Sequence, residues 1–210
     1  MNVLSLFDGM SCGQQALQRA GIKVDNYFAS EIDKYAIQVA GKNFPNTIEL
    51  GNVTRIDTKG LLKDYNLSQM DLLMGGSPCQ GFSFAGGQLA FDDPRSKLFF
   101  EFVRIKEELQ PKYFLLENVK MKKEFEDVIT KYMGVEPIEI NSSLFSAQNR
   151  RRLYWTNIPV DMDIKDKGLV LKDILQTDHD EPPVPINERN ARHHKHPYQK
   201  ALFTTASRYK

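Results

Sequence analysis

Two rhythms of apolar and polar positions alternate along the first half of the chain. Short apolar runs rich in β-forming residues are separated by stretches whose apolar residues recur every three to four positions. That is the pattern of a parallel sheet covered by helices on both faces. Residues 2–7 (NVLSLF) read as a buried strand, 13–20 (GQQALQRA) as a helix closed by Gly21, and 24–30 (VDNYFAS) as the next strand. A helix is expected over 33–42, ended by Asn43 to Pro45, then a strand at 47–50 (TIEL) and a helix at about 58–65. The fourth strand, DLLMGG from Asp71, runs into SPCQGFSFAGGQLAFDDPRS (77–96), which is too rich in Gly, Ser and Pro to be an element interior and reads as a long loop. Loops longer than about 12 to 15 residues are usually functional or disordered. Helix signals return at Ser96, with Leu98, Phe99, Phe102, Val103 and Ile105 as the apolar stripe and Pro111 as the stop. YFLLEN (113–118) is a fifth strand and Lys122 to Tyr132 a helix, while VEPIEI (135–140) and LYWTNI (153–158) are later strands able to pair antiparallel. The fold class expected is α/β, with a mostly parallel sheet and an antiparallel edge.

Composition adds bounds. The chain has 210 residues, 41% hydrophobic and 26% charged, which suits one globular domain. With 28 Lys and Arg against 27 Asp and Glu, bulk charge announces no polyanionic partner, so any such partner must be sought locally. Through His179 there are 22 basic and 24 acidic residues; from Asp180 onward there are 6 and 3. The expected organisation is a catalytic domain over 1–160, followed over 161–210 by a linker, marked by PPVP at 182–185, and a basic arm. Two cysteines are too few for a disulfide framework, no apolar run nears the roughly 20 residues that cross a bilayer, and the opening MNVLSLFDGM lacks a basic leader. The expectation is a soluble cytoplasmic protein.

The unusual residues cluster where strands end, which is where open parallel sheets hold ligands. The turn Phe7-Asp8-Gly9-Met10-Ser11-Cys12-Gly13 leads from strand one into a helix N-terminus, where missing side chains let a ligand approach. It lacks the G-x-G-x-x-G spacing for a pyrophosphate. An adenosine ligand without phosphates, such as S-adenosylmethionine, remains, as does a plain tight turn. Glu31 stands about 20 residues on, where an acid accepts bonds from ribose hydroxyls, or else caps the following helix with Asp33. Asn52 is placed to bond an adenine amine and Val53 to pack on the ring. Gly75-Gly76-Ser77-Pro78 forces a sharp turn that presents Cys79 as a candidate nucleophile, although a lone cysteine is ordinarily a small buried residue; Cys12 keeps that ordinary reading. Glu117 ends strand five, placed to exchange hydrogen bonds with a heterocycle's ring nitrogen, and Asn118 beside it is the stronger helix-cap candidate. In Gln148-Asn149-Arg150-Arg151-Arg152, alternate residues share one face and the arginines suit phosphates and carbonyl oxygens; a solvated basic run is the alternative.

In this order, LFDGMSCG, Glu31, GGSPCQGFS, DPRSKLFFEF, LLENV and QNRRRLYW resemble the DNA (cytosine-5) methyltransferase family, with matches spread over residues 4–155. The short stretch after the arginines looks more like the compact branch that includes animal de novo methyltransferases. The resemblance implies a Rossmann-like S-adenosylmethionine-dependent fold acting on double-stranded DNA. Cytosine swings out of the duplex, Cys79 attacks carbon 6, Glu117 holds ring nitrogen 3 and the exocyclic amine, and Arg152, with Arg150 beside it, matches the arginine on the base's carbonyl oxygen. Carbon 5 then takes the methyl, leaving S-adenosylhomocysteine. The implied cofactor contacts are Phe7, Asp8, Gly9, Gly13, Glu31, Ile32, Asn52, Val53, Pro78 and Leu98. The stretch from Gln80 to Arg95, including Ser83, matches the family's loop that closes over DNA, and Gln148 joins the DNA contacts. In the arm, Arg189, Arg192 and Lys195 are read as phosphate contacts; His193, His194 and His196 are read as solvated, with no metal expected.

Two departures stand out. Asn52 occupies the family's usual Asp position, so weaker cofactor binding is expected. The chain stops at SRYK, where the family continues to a segment that closes the cofactor pocket; this suggests a truncation, a gap, or a second chain completing the pocket. The alternative function is accordingly a noncatalytic DNA-binding or regulatory relative, and a small dehydrogenase is disfavoured by the missing phosphate-binding spacing.

Overall fold

The computed structural model describes residues 1–78 and 97–174. Seven strands form one sheet in the order β3-β2-β1-β4-β5-β7-β6: β1 (Asn2–Leu6), β2 (Asn26–Ser30), β3 (Ile48–Glu49), β4 (Leu72–Gly75), β5 (Tyr113–Val119), β6 (Ile138–Asn141) and β7 (Arg151–Thr156). Pairings β1–β2, β1–β4, β2–β3 and β4–β5 are parallel, and the sheet is mostly parallel with one antiparallel pair at its edge. Among the described residues the helices are α1 (Cys12–Arg19), α2 (Lys34–Asn43), α3 (Thr58–Asp64), α4 (Leu98–Leu109) and α5 (Lys123–Met133). The α/β class expected from the alternation is the one observed. Strand order runs outward from β1 in both directions, so the crevice where it reverses lies beyond the carboxyl ends of β1 and β4.

The central strands bury both faces, which is why they read as unbroken apolar runs. Along β1, Leu4 and Leu6 point into a large core with Phe28, Leu73, Phe99, Phe102, Ile105, Leu116, Ile129 and Trp155. Val3, out of phase with them, joins Tyr27, Ala29, Leu72 and Met74 on the opposite face. The two-residue period of a strand therefore sorts one sequence into two cores. Trp155 is fully buried and its Nε1 donates to Thr130 Oγ1 at 2.9 Å.

Caps set the helix starts. Asp33 accepts from the backbone of Tyr35 (2.7 Å) and Ala36 (3.1 Å), and Asp57 from Gly60 (3.1 Å). Strand ends differ from the expectation for local reasons. β1 stops at Leu6 because Phe7 takes φ +57°, and β6 starts only at Ile138, after Pro137, which has no N–H for a ladder. β7 begins at Arg151, so two of the arginines expected before the strand lie in it.

The chain divides into two compact units: Met1–Ile138 with Leu153–Pro159, and Glu139–Arg152 with Val160–Lys210. No helix among the described residues is long and apolar enough to cross a membrane.

Candidate active site

In the first unit a cleft of about 240 Å³ opens at the carboxyl ends of β1 and β2. Its walls are Phe7, Ser30, Glu31, Ile32, Gly51, Asn52, Val53, Thr54, Pro78 and Leu98. Seven of the ten residues expected to hold a cofactor are thus brought together: Phe7, Glu31, Ile32, Asn52, Val53, Pro78 and Leu98. A somewhat larger cavity, about 290 Å³, lies beside α3 between Arg55 and Tyr65; it contains none of the expected residues and does not sit at the strand-order reversal.

Glu31 organises the cleft. Its Oε2 accepts the Gly9 N–H at 2.8 Å, and its Oε1 accepts Ile32 N–H (2.7 Å) and Asp33 N–H (2.9 Å). Three backbone donors hold the carboxylate in one orientation and leave lone-pair capacity for another donor. Helix capping, the alternative for Glu31, belongs to Asp33. Nearby, Glu49 has its carboxyl pushed up by burial and by the charges of Asp8 and Glu31, so this end of the sheet carries a concentrated negative field. Asn52 is already engaged: its Oδ1 accepts both the N–H and the hydroxyl of Thr54, each at 3.0 Å, capping the 3₁₀ turn Val53–Arg55.

Asp8, Gly9 and Gly13 do not line the cleft, and the structure places them in its framework. Asp8 turns away to accept from Tyr27 Oη at 2.7 Å and from Ser11 Oγ. A Cβ on Gly13 would stand 2.8 Å from Met74 Cε, so the missing side chain serves helix-to-sheet packing rather than ligand approach. Cys12, read as a small buried residue, is exposed at the first turn of α1, where Ser11 enters the helix with φ +59°.

Burial, then the Asp8 carboxylate, pushes the Tyr27 hydroxyl well above its ordinary value of 10.0. Because the folded-state value is raised, the contribution of neutral Tyr27 is complete below pH about 10 and is lost as pH rises through the higher folded value. Tyr27→Phe is expected to cost about 1–2 kcal/mol at neutral pH, by stripping a partner from Asp8, and to lessen the alkaline loss of stability. Urea unfolding at neutral and alkaline pH checks both.

Close packing joins the ends of β4 and β5. A Cβ on Gly75 would lie 2.7 Å from the Leu6 carbonyl oxygen, and one on Gly76 would lie 3.0 Å from Glu117 Oε2. Glycine at 76 therefore lets the Glu117 carboxylate rest over the β4 exit. Asn118 is buried, donating to Ser77 Oγ at 3.4 Å and accepting from Val119 N–H at 2.8 Å. It does not cap α5, whose start has no side-chain cap. Pro78, in the cleft wall, is followed directly in the chain by Cys79; Cys79, Gln80, Ser83 and Arg95 lie outside the described residues.

In the second unit, Arg150 N–H donates to Asn141 Oδ1 (3.0 Å) and Ser142 Oγ to the Gln148 carbonyl (2.8 Å), fixing the segment that carries Gln148 and Arg150. Arg151 is exposed and pairs with Glu139 at 3.1 Å, whereas Arg152 is buried and donates to the Arg151 carbonyl at 2.8 Å. The alternation expected of a strand thus separates Arg151 from Arg152. Arg189, Arg192, Lys195 and all four histidines lie outside the described residues, among which no group of His, Cys, Asp or Glu is arranged for a metal ion.

Ser30, Gly51 and Thr54 of the cleft were not expected from the sequence. Ser30 Oγ donates to the Gly51 carbonyl at 2.7 Å, clamping together the two turns that form the walls. Their adjacency to Glu31 and Asn52 was the available signal.

A model of the C-5 cytosine-specific DNA methylase family matches residues 1–207. The chain is 38% identical over 196 residues to orphan methyltransferase M.SPRI of Bacillus phage SPR, covering 84% of this chain and 42% of that protein. It is 42% identical over 144 residues to type II methyltransferase M1.ScrFI of Lactococcus lactis subsp. cremoris, covering 63% and 35%. A solved structure described as a DNA modification methyltransferase encoded within an E. coli prophage superposes with a TM-score of 0.63 at 30% identity, over 74% of this chain and 46% of that one. The chain spans less than half the length of these relatives, and none of the three comes from the animal de novo branch. The cleft at the strand ends, the Pro78-Cys79 and Glu117-Asn118-Val119 sequences and the family match agree: the chain belongs to the C-5 cytosine-specific DNA methylase family.

Proposed function

We propose that this chain carries the cofactor-binding and catalytic machinery of a DNA (cytosine-5) methyltransferase that uses S-adenosylmethionine. The observation that carries this reading is the cleft itself, in which apolar Phe7, Ile32, Val53 and Leu98 surround a carboxylate held by three backbone N–H groups. Such a site suits an adenosyl ligand: apolar surface for the adenine and an acceptor for a ribose hydroxyl. S-adenosylmethionine, when bound, supplies an electrophilic methyl on a cationic sulfur. Asn52 would bond the adenine amine only by sharing or releasing Thr54, which lowers its expected contribution.

On the DNA side, the target cytosine must leave the stack before its ring carbons can be reached. The Cys79 thiolate forms a bond to carbon 6, and the electron pair released from the 5,6 double bond makes carbon 5 nucleophilic. Glu117, supported over Gly76, donates its carboxyl proton to ring nitrogen 3 and accepts from the exocyclic amine, so offsetting the negative charge that develops on the ring. Carbon 5 takes the methyl, then loses its proton as the Cys79 sulfur departs and aromaticity returns. The roles of Cys79, Glu117, Arg150 and Arg152 rest on the family resemblance. Incubating the full chain with methyl-labelled S-adenosylmethionine and duplex DNA, then digesting the DNA to nucleosides, should place the label in 5-methyldeoxycytidine. Label in another nucleoside, or none, would refute the proposal.

A further inference from the structure

Arg104, in the middle of α4, reaches outside its own helix. Its Nε donates to Glu101 Oε2 at 2.9 Å, its Nη2 stands in an ion pair with the same oxygen at 2.9 Å, and its Nη1 donates to Glu108 Oε2 at 2.9 Å. If helix stability were the whole purpose, these pairs at spacings of three and four would suffice, and each contributes little. The same guanidinium also approaches two main-chain carbonyls of another element: Nη2 lies 3.3 Å from Val53 O, and Nη1 lies 3.4 Å from Ile56 O. Glu108 extends the bracket by accepting Thr58 Oγ1 at 2.8 Å, at the start of α3. Arg104 therefore grips the segment around the 3₁₀ turn Val53–Arg55 from both sides of that turn.

That segment and α4 are two walls of the cleft. Asn52, Val53 and Thr54 line one side, and Leu98, at the first turn of α4, lines another. The turn has few bonds of its own: Arg55 N–H to Asn52 O (2.9 Å), Ile56 N–H to Val53 O (3.3 Å) and the Asn52 cap. A planar fork with five donors can hold two carboxylates and two carbonyls at once, which a lysine ammonium cannot match in geometry.

We propose that Arg104 is a positioning residue for the cofactor, setting the separation between the Val53 wall and the Leu98 wall and so the affinity for the adenosyl group. This rests on the reading of the cleft as an S-adenosylmethionine site. Arg104 does not line the cleft and acts through Val53, which does.

The test compares the full wild-type chain with Arg104→Met and Arg104→Lys by calorimetric titration with S-adenosylhomocysteine, by hydrogen exchange of the amides at 53–57, and by thermal unfolding. Arg104→Met should remain folded at 25 °C, bind at least about tenfold more weakly, and exchange faster at 53–57. Arg104→Lys, which keeps a charge near Glu101 and Glu108, should fall between the two. A purely structural role predicts a lower unfolding temperature with unchanged affinity in the folded protein, and that result overturns the proposal. If Arg104→Met fails to fold, Arg104→Lys decides: wild-type affinity in it refutes the positioning role, and a loss of about threefold or more with faster exchange at 53–57 supports it. A wild-type chain that binds no S-adenosylhomocysteine would instead remove the cofactor reading, and this proposal with it.

Discussion

Cys79→Ala is expected to reduce methyl transfer to DNA by at least about 10⁴-fold, because removing a catalytic nucleophile typically costs that much or more. The size of the effect follows from the chemistry. Carbon 5 of cytosine is a poor nucleophile while the ring is aromatic, and in the proposed mechanism the bond from sulfur to carbon 6 relieves this. No other cysteine can substitute, since Cys12, the one other in the chain, lies on α1 and does not line the cleft. Cys79→Ser should also be severely impaired, a hydroxyl being far less ionised than a thiol near neutral pH. Duplex DNA containing 5-fluorocytosine gives an independent readout. With fluorine in place of the departing proton, the adduct cannot resolve after methylation, so wild-type protein should form a denaturant-stable complex with DNA and Cys79→Ala none. Substantial methylation by Cys79→Ala would contradict the covalent mechanism.

Trp155→Ala is expected to have the largest effect on stability, about 3–5 kcal/mol. Trp155, on β7, is fully buried in the main core, which also holds Leu153 of the same strand and Ile129 of α5, and its indole N–H is satisfied by Thr130. Truncation removes the transfer energy of the largest core side chain, leaves a cavity and strands the Thr130 hydroxyl. Against a typical total of about 5–15 kcal/mol, that is a large share of the stability. Trp155→Phe, which keeps most of the volume, should lose clearly less. Urea denaturation of the three proteins measures the difference; a loss under about 1 kcal/mol for Trp155→Ala would mean that this core is not packed as described.

The order of strands and helices through β5 was legible because each central strand buries both faces and each helix shows one apolar stripe. Leu4 and Leu6 against Val3 already imply two cores. The ends were less legible, since a backbone turn such as that at Phe7 is set by contacts the local pattern does not encode. For the site, Glu31, Asn52 and Val53 could be read from their places at strand ends, whereas Ile32, Pro78 and Leu98 were implied only by the family resemblance. The surroundings of Asp8 and Gly13 were not legible, because they come from Tyr27 and Met74, distant in sequence. The same is true of Arg104, whose carbonyl partners lie about 50 residues earlier. Asn118 looked like a helix cap because its type and position allow it, but burial gave its side chain to Ser77.

Whether the cleft between Phe7, Glu31, Val53 and Leu98 holds an adenosyl cofactor is tested most directly by calorimetric titration of the full chain with S-adenosylhomocysteine, beside Glu31→Ala. Saturable one-to-one binding with a Kd of about 1–100 μM, weakened at least about tenfold by Glu31→Ala, is the expected result. No binding at millimolar ligand, or binding indifferent to Glu31, would contradict it.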